Sequence, residues 1–169
     1  MKLTSATLAL AATGAGAGLA YHAIVKRIAT TNFTRVNDKD YEALLKACAP
    51  DIHHRFGGTH PLGGERHDRE ALRRWFQRLG RLGPTLTLTV QDVWVKGWPH
   101  DTTIIIRWTG AQTLPDGTPY ANHGVHIVRM RWGKIVDIDA NEDSQAVAES
   151  MTVFAAHGVP EALAEPIVS

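Results

Sequence analysis

The sequence is short of several features that define common protein classes. Cys48 is its only cysteine, so no disulfide can form within the chain. Lysine and arginine together number 18 and aspartate and glutamate 17, and a net charge of +1 gives no general attraction for nucleic acid or anionic lipid. The 169 residues suffice for one domain that buries a core without disulfides or metal. These shortages exclude a disulfide scaffold and argue against a nucleic-acid partner.

Motifs for phosphate, nucleophile and zinc chemistry are missing as well. No P-loop or dinucleotide-binding glycine pattern follows a strand, and there is no nucleophile elbow. Nine histidines occur, but none has standard zinc spacing. The pairs His53/His54 and His123/His126 each place their two rings on opposite faces of a strand. The sequence therefore predicts no metal site and no cofactor.

The first 25 residues differ in composition from the rest. They contain Lys2, no acidic residue and many alanines and glycines. Residues 1–20 fit an export signal, an anchor that crosses a membrane, or an exposed tail that leads into the first helix. The interpretation favours an anchored or exported protein over a cytoplasmic one, with residues 1–25 as the segment that associates with a membrane.

Three helices and one short strand are predicted before residue 85. Apolar spacing predicts a helix over residues 21–36. Asp40 and Asp68 stand where N-caps belong, ahead of two more helices. Residues 51–56 are a strand candidate, and residues 57–68 form a glycine-rich loop. The helix after Asp68 has an apolar face made of Leu72, Trp75, Phe76 and Leu79.

From Thr85 onward the apolar period changes to two, which predicts strands. Asp116-Gly117 is typical of a hairpin turn, and Asp143 stands ahead of a last helix over roughly residues 144–156. The order predicts an α+β fold: a curved antiparallel meander packed on three N-terminal helices, with a cavity between the layers. The predicted strands are 85–95, 102–114, 120–132 and 134–140.

Three segments of the chain carry a family resemblance. They are NFTRVNDKDYEALLKACAPDI, HHRFGGTHPLGGERHDREALRRWF and MRWGKIVDIDANEDS. Together they resemble the nuclear-transport-factor-2-like superfamily and, within it, the SnoaL-like group that includes polyketide cyclases and ketosteroid isomerases. The resemblance covers residues 21–156 and implies a cone-shaped α+β barrel. It places the domain at residues 21–158, with a C-terminal tail at 159–169.

The resemblance does not extend to the family's catalytic carboxylates. Where ketosteroid isomerases carry a carboxylate base, at the end of the first short strand, this sequence has Arg55 and Phe56. Members similar to limonene epoxide hydrolase pair an arginine with an aspartate on a middle strand, and only Arg107 is present here. On the last strand the matching position falls on Ala140, and a one-residue bulge would be needed to turn the neighbouring Asp139 inward.

Alternation along the third long strand separates an inner from an outer face. One set contains Tyr120, Asn122 and His126, and the other contains His123 and ends in two arginines. The arginines indicate that the second set faces solvent. We therefore expect His126 and Asn122 to point into the cavity and His123 to point outward.

The candidate site residues follow from these faces and from the resemblance. His54 lies where relatives often carry a pocket histidine, and we predict His54 and His126 as general acid/base groups, because histidine transfers protons near neutral pH. Asp139 is predicted to orient a histidine or to act as a base. Hydrogen-bonded core histidines and solvated carboxylates remain the alternatives. The predicted substrate-binding residues are Phe56, Trp75, Trp94, Trp108, Tyr120, Asn122 and Glu142.

The sequence thus predicts a domain that binds a small apolar molecule carrying oxygen. One alternative is an enzyme that transfers protons, of the isomerase, cyclase or hydratase type. The other is a non-catalytic module for ligand binding or dimerisation, tethered at a membrane. The predicted partners are the small molecule and a second copy of the chain.

Overall fold

The computed structural model describes the backbone of residues 5–169 and the side chains from residue 16 onward. The start of the candidate leader, residues 1–4, lies outside the described residues. The helices are α1 (Ser5–Asn37), α2 (Tyr41–Ala47), α3 (Arg69–Leu82) and α4 (Ser144–Ala156), and a 3-10 turn spans Pro160–Leu163.

One curved sheet of six strands, which does not close into a complete barrel, packs on these helices. Its strands are β1 (Cys48–Phe56), β2 (Gly64–Arg66), β3 (Thr87–Trp98), β4 (Asp101–Thr113), β5 (Pro119–Arg131) and β6 (Lys134–Glu142). The spatial order is β2-β1-β6-β5-β4-β3. Strands β3 to β6 form an antiparallel meander, and β1 lies parallel to β6. The α+β class and the four-strand meander are as the sequence predicts.

The aspartates expected at helix starts cap those helices. A side-chain oxygen of Asp40 accepts from the Ala43 amide over 3.3 Å, and Asp68 accepts from Ala71 over 2.7 Å. Asp143 does the same at the start of α4. Each cap satisfies an amide that has no partner within the helix, an interaction typically worth about 1 kcal/mol.

Helix α1 is longer than the predicted helix over residues 21–36, and it packs chiefly along β3. The hydroxyl of Tyr21 lies 2.6 Å from that of Thr102, and the Tyr21 ring stacks on Trp98. His22 Nε2 lies 3.0 Å from the carbonyl oxygen of Gly97. These contacts hold α1 to the β3–β4 turn. Among the described residues, no helix is long and apolar enough to cross a membrane.

Strand β2 was not predicted, since it is three residues long and lies inside the glycine-rich loop. It pairs with β1 through the partners His54–Arg66 and Arg55–Glu65. The residues after the 3-10 turn run alongside it: the Ser169 amide donates to the Glu65 carbonyl, and the Ser169 hydroxyl accepts from the His67 amide. The segment 159–169, predicted as a tail, therefore covers β2.

Candidate functional site

A cavity of about 150 Å³ lies between the inner face of the sheet and the helices. Helices α1, α3 and α4 and strands β1 and β3–β6 all contribute to its wall, which is mostly apolar. Cavities of this kind between a sheet and its helices are common binding sites for small molecules. Eight of the ten predicted site residues line it: His54, Phe56, Trp75, Trp108, Tyr120, Asn122, His126 and Glu142.

Trp94 was predicted to line the cavity and does not. It lies on the outer face of the sheet opposite Ile105, with 50% of its surface exposed. The reason is a register shift in β3: Val90 pairs with Trp108, but Asp92 pairs with the next residue, Arg107, so Gln91 is an inserted bulge. A bulge reverses the alternation beyond it and turns Trp94 outward.

Asp139 is the second correction, because its side chain also lies on the outer face. Its carboxylate accepts from Arg55 Nε over 2.6 Å, in a half-exposed ion pair. Strand β6 does contain a bulge, but at Val136, upstream of Asp139. From there Ala140 pairs with His126 on the inner face, which leaves Asp139 outside.

His54 lies in the cavity wall as predicted, and Arg66 fixes its protonation. Arg66 Nη1 donates to His54 Nδ1 over 3.1 Å. Because a guanidinium can only donate, Nδ1 must be unprotonated, and the ring proton of the neutral imidazole is on Nε2. Burial, and then the charge of Arg66, hold the pKa of His54 well below its usual range. His54 is therefore a neutral hydrogen-bond donor.

Arg66 is a residue that sequence reasoning missed. It is 0% exposed, and burial lowers its pKa to about 10, so it remains charged at neutral pH. Within the described part of the chain no carboxylate forms a salt bridge with it; main-chain oxygens take that place. A buried arginine and a solvated one look alike in sequence, so the pattern alone offered no signal. The carbonyls that accept from it belong to Leu62, Gly63, Gly64 and Ile167.

His126 lies on β5, with its ring against those of Phe33 and Trp108. Its Nε2 is buried and has no hydrogen-bond partner in the described part of the chain, although the residue as a whole is only half-buried. Burial lowers the pKa of His126 to about 4, with a small opposing effect from Asp139. The ring is thus neutral at pH 7, and its Nε2 edge is not used by the protein.

One row of residues crosses three strands beside His126. Trp108 on β4 is the partner of Gly124 on β5, which is in turn the partner of Glu142 on β6. A Cβ atom on Gly124 would come within 2.8 Å of Cζ2 of Trp108, so the missing side chain lets the indole lie across β5. The indole meets the His126 ring edge-on, with centroids 5.3 Å apart.

Glu142 lines the cavity at the end of this row. One of its oxygens, Oε1, accepts from the Ser144 hydroxyl over 2.8 Å, and the other, Oε2, is buried without a partner among the side chains and backbone that the structure describes. Burial raises the pKa of Glu142, and the hydrogen bond from Ser144 opposes that shift. A carboxyl group in such a setting has an increased protonated fraction near neutral pH.

Asn122 lines the cavity, but its amide is fully used inside the protein. Its Oδ1 accepts from the backbone amides of His123 and Asp143, an arrangement that fixes which amide atom is oxygen. Its Nδ2 donates to the Asp143 carbonyl and, over 2.7 Å, to the Tyr120 hydroxyl oxygen. Asn122 therefore orients Tyr120, whose own hydroxyl proton remains free to be donated.

Four cavity-lining residues share a feature that ordinary packing does not explain. Each has a polar side-chain atom that is buried and has no hydrogen-bond partner among the residues that the structure describes. An unpaired buried polar group typically costs about 1–3 kcal/mol, so such groups are uncommon without water or a ligand. They supply one donor, one acceptor and two atoms that can act as either, depending on protonation. The atoms are Trp108 Nε1, Gln112 Oε1, Glu142 Oε2 and His126 Nε2.

Residues 29–138 match the sequence model of the SnoaL-like domain. No curated protein matches the chain significantly. Solved structures agree with the fold: Bal32a, from a soil-derived mobile gene cassette, has a TM-score of 0.64 at 17% identity, over 73% of this chain and 93% of that chain.

Two further structures have the same architecture. TerC, co-crystallised with polyporic acid, has a TM-score of 0.63 at 20% identity, over 74% of this chain and 95% of its own. A nuclear-transport-factor-2-like protein of unknown function from Burkholderia pseudomallei K96243 has a TM-score of 0.62 at 18% identity, over 74% of this chain and 94% of its own. At such low identity these likenesses concern the fold alone.

Proposed function

This chain belongs to the SnoaL-like domain family, and from that premise we propose that its cavity binds a small apolar molecule carrying oxygen and transfers a proton to or from it. The observation that carries the proposal is the set of unpaired polar atoms on Trp108, Gln112, His126 and Glu142 in an otherwise apolar wall. A ligand with hydroxyl or carbonyl oxygens would pair with them, and its hydrocarbon part would fill the remaining space.

His126 and Glu142 are the proposed proton-transfer groups. His126 is neutral at pH 7 and has an unpaired Nε2, so it is suited to accept a proton. Glu142 has a raised pKa and an unpaired oxygen, so it is suited to donate one. The two lie on neighbouring strands, since Glu142 is the partner of Gly124, two residues before His126.

Three hydrogen-bond donors would hold the oxygens of the ligand. Trp108 Nε1 is unpaired, Tyr120 has a free hydroxyl proton, and the tautomer of His54 leaves a proton on Nε2. Neutral donors aimed at an oxygen favour the build-up of negative charge there, as in enolisation next to a carbonyl group. His54 thus serves as a donor and not as a base, because burial and the charge of Arg66 both oppose its protonation.

The structural neighbour TerC bears on the choice of ligands to test. It was co-crystallised with polyporic acid, which supports an organic small molecule as the type of ligand for this fold. The likeness to TerC is one of fold, so the compound itself is not assigned to this chain.

The test is a panel of cyclic enones and polyketide-like phenols and quinones. Binding is measured by thermal shift, and proton transfer by NMR, as exchange of carbon-bound hydrogen for deuterium. We expect His126→Gln and Glu142→Gln to keep the thermal shift and to lose exchange at least tenfold. His123→Asn, a change of an exposed histidine on the outer face of the same strand, is the control.

Equal exchange in the wild type and both variants would reject the catalytic part of the proposal. Thermal shifts with no exchange in any of them would favour a non-catalytic binding module. If no compound of the panel caused a thermal shift or hydrogen exchange, in the wild type and in Trp108→Phe alike, the result would count against the cavity as the site.

A second candidate function, a dimerising module, is favoured by the outer face of the sheet. Trp94, Ile105 and Ile127 are register partners on adjacent strands, and each is exposed by more than a third. An apolar row of this kind is a common interaction surface. Under this alternative Trp94→Lys would convert a dimer into a monomer in sedimentation analysis and leave ligand binding intact.

Membrane association through residues 1–25 is tested separately. It would appear as binding of the full chain to vesicles that is lost when this segment is removed.

A further inference from the structure

A second group of potential ligand atoms lies on the outer face of the sheet, outside the cavity. We propose that His53, Glu65 and His67 bind a divalent ion of a late first-row transition metal, such as zinc or nickel, and that Asp137 orients one of the ligands. Among the side chains that the structure describes, these three are the only such group close enough to share an ion. The proposal is independent of the function proposed for the cavity.

The pairing of strands explains why these residues meet. Arg55 on β1 is the partner of Glu65 on β2, and His53 on β1 is the partner of Asp137 on β6. Since His54 faces the cavity, its neighbour His53 must face outward. The sequence spacing gave no sign of the cluster, because β2 was hidden in a glycine-rich loop.

The candidate ligand atoms are already near one another. His53 Nε2 lies 3.3 Å from Glu65 Oε2, and His67 Nε2 lies 4.0 Å from the same oxygen. One ligand atom from each residue falls within 4.8 Å of the others. Ligands of a tetrahedral ion at about 2.1 Å are separated by about 3.4 Å, so closure requires a shift of roughly 1 Å in exposed side chains.

Asp137 gives the arrangement a feature that is typical of metal sites. Its Oδ1 lies 2.6 Å from His53 Nδ1, so a proton on Nδ1 is donated to the carboxylate. This leaves the lone pair of Nε2 directed at Glu65. Metal-ligating histidines usually donate their other nitrogen to a carboxylate in this way, which fixes the tautomer and the ring orientation.

The hydrogen bonds of the cluster are compatible with metal binding. Without an ion, a proton on His53 Nε2 is shared with Glu65 Oε2 over 3.3 Å, and a bound cation would take the place of that proton between the same two atoms. The rings of His53 and His67 are stacked almost in parallel, with centroids 4.8 Å apart, and the His67 backbone is held by Ser169. Both imidazoles are therefore held beside the carboxylate by contacts within the protein.

The ligand set selects the class of metal. Two imidazoles and one carboxylate suit zinc, nickel, cobalt and copper, whereas magnesium and calcium prefer oxygen ligands. Glu65 and His67 have more than half of their side-chain surfaces exposed, so water would fill the remaining coordination positions.

The test is calorimetric titration of the full chain, without a histidine tag, with zinc chloride and separately with magnesium chloride. We expect one zinc ion per chain and no heat from magnesium. The variants His67→Ala and Glu65→Gln should each weaken zinc binding at least tenfold. His100→Ala, a change of an exposed histidine in the β3–β4 turn, should leave it unchanged.

Asp137→Asn tests the positioning residue. It should keep the one-to-one stoichiometry, weaken zinc binding 10- to 100-fold, and change the visible absorption of the cobalt-substituted chain. Zinc affinity that is equal in the wild type and in both ligand variants would overturn the proposal, as would an absence of binding at millimolar zinc. Because the substituted side chains are exposed, circular dichroism is expected to show the wild-type fold in every variant.

Discussion

Arg66 donates to His54 across the β1–β2 pair, from Nη1 to Nδ1 over 3.1 Å, and both residues are buried. This contact decides what His54 can do. A histidine held by a cation at one nitrogen is kept neutral and presents a proton at the other. The same cation satisfies four main-chain oxygens, so it also joins β2 and the C-terminal segment to the core.

Replacing Arg66 should therefore destabilise the whole fold. Arg66→Met removes every donor of a buried charge network and leaves several buried acceptors unpaired, so we expect a loss of about 3–5 kcal/mol in the free energy of unfolding. Arg66→Lys should recover only a minor part, because an ammonium group cannot reach acceptors spread around a planar guanidinium. Urea denaturation measures both losses.

A matched control is available on the outer face of the sheet. Arg107 forms an exposed ion pair with Asp92, and pairs of that kind contribute about 0–1 kcal/mol. Arg107→Met should thus change stability by less than 1 kcal/mol. An equal, small loss for the two methionine variants would contradict the role given to Arg66.

The two cavity tryptophans should respond differently to the same substitution. Trp75 Nε1 donates to the Leu62 carbonyl over 2.7 Å, whereas Trp108 Nε1 has no partner within the described residues. Trp75→Phe loses that hydrogen bond and is expected to cost about 1–2 kcal/mol of stability. Trp108→Phe removes an unpaired donor, so its stability without ligand should fall less, even though both changes reduce ring volume.

Ligand binding should show the reverse order. If Trp108 Nε1 binds an oxygen of the ligand, Trp108→Phe should weaken binding about 5- to 10-fold, the value of one neutral hydrogen bond. Trp75→Phe should weaken it less. Thermal unfolding and titration of the first compound that binds would measure the two effects, and a larger loss of affinity for Trp75→Phe would argue against the proposed donor.

His126 should make the protein sensitive to acid. The unfolded chain takes up a proton on this histidine near its ordinary pKa of 6.5, whereas the folded chain does so only near pH 4. The folded state therefore loses stability as the pH falls from 6.5 toward 4, by at most about 3 kcal/mol from this residue.

His126→Asn removes this contribution. Between pH 7 and pH 4.5 the wild type should lose roughly 2 kcal/mol more than the variant, as measured by urea denaturation at each pH. His123→Asn, which alters an exposed histidine, should follow the wild-type curve. Parallel curves for the wild type and His126→Asn would show that the imidazole is not held neutral by burial.

Gly124 should tolerate no side chain. An added Cβ would lie 2.8 Å from the Trp108 indole and closer still to the Asn141 carbonyl oxygen, which belongs to the backbone of β6. Gly124→Ala must displace the indole or the strand, and we expect a loss of about 1–3 kcal/mol, the usual cost of overpacking. Near-ultraviolet circular dichroism would report the movement of the indole.

Gly117→Ala is a useful comparison for that measurement. No atom lies near the place where its Cβ would be, although its φ of +85° adds backbone strain that Gly124 does not have. The near-ultraviolet spectrum should therefore change for Gly124→Ala and stay the same for Gly117→Ala. An unchanged spectrum for both would mean that the indole does not lie across β5.

The sequence by itself determined the fold class, the starts of α2, α3 and α4, and the inner face of β5. Capping aspartates such as Asp68 and the alternation from Tyr120 to Met130 are local signals, and β5 keeps its alternation because its register with β4 has no shift. For the same reason His126 was predicted to face the cavity and His123 to face outward, as the structure has them.

Only the tertiary structure decided which residues act together. The bulges at Gln91 and Val136 set the faces of Trp94 and Asp139, and a bulge depends on the partner strand as much as on its own residues. Arg66 acquires its role because β2 and the C-terminal segment enclose it, and the outer cluster at His53 needs three strands to assemble. Contacts between residues distant in the chain depend on register, and one residue of shift exchanges the two faces of a strand.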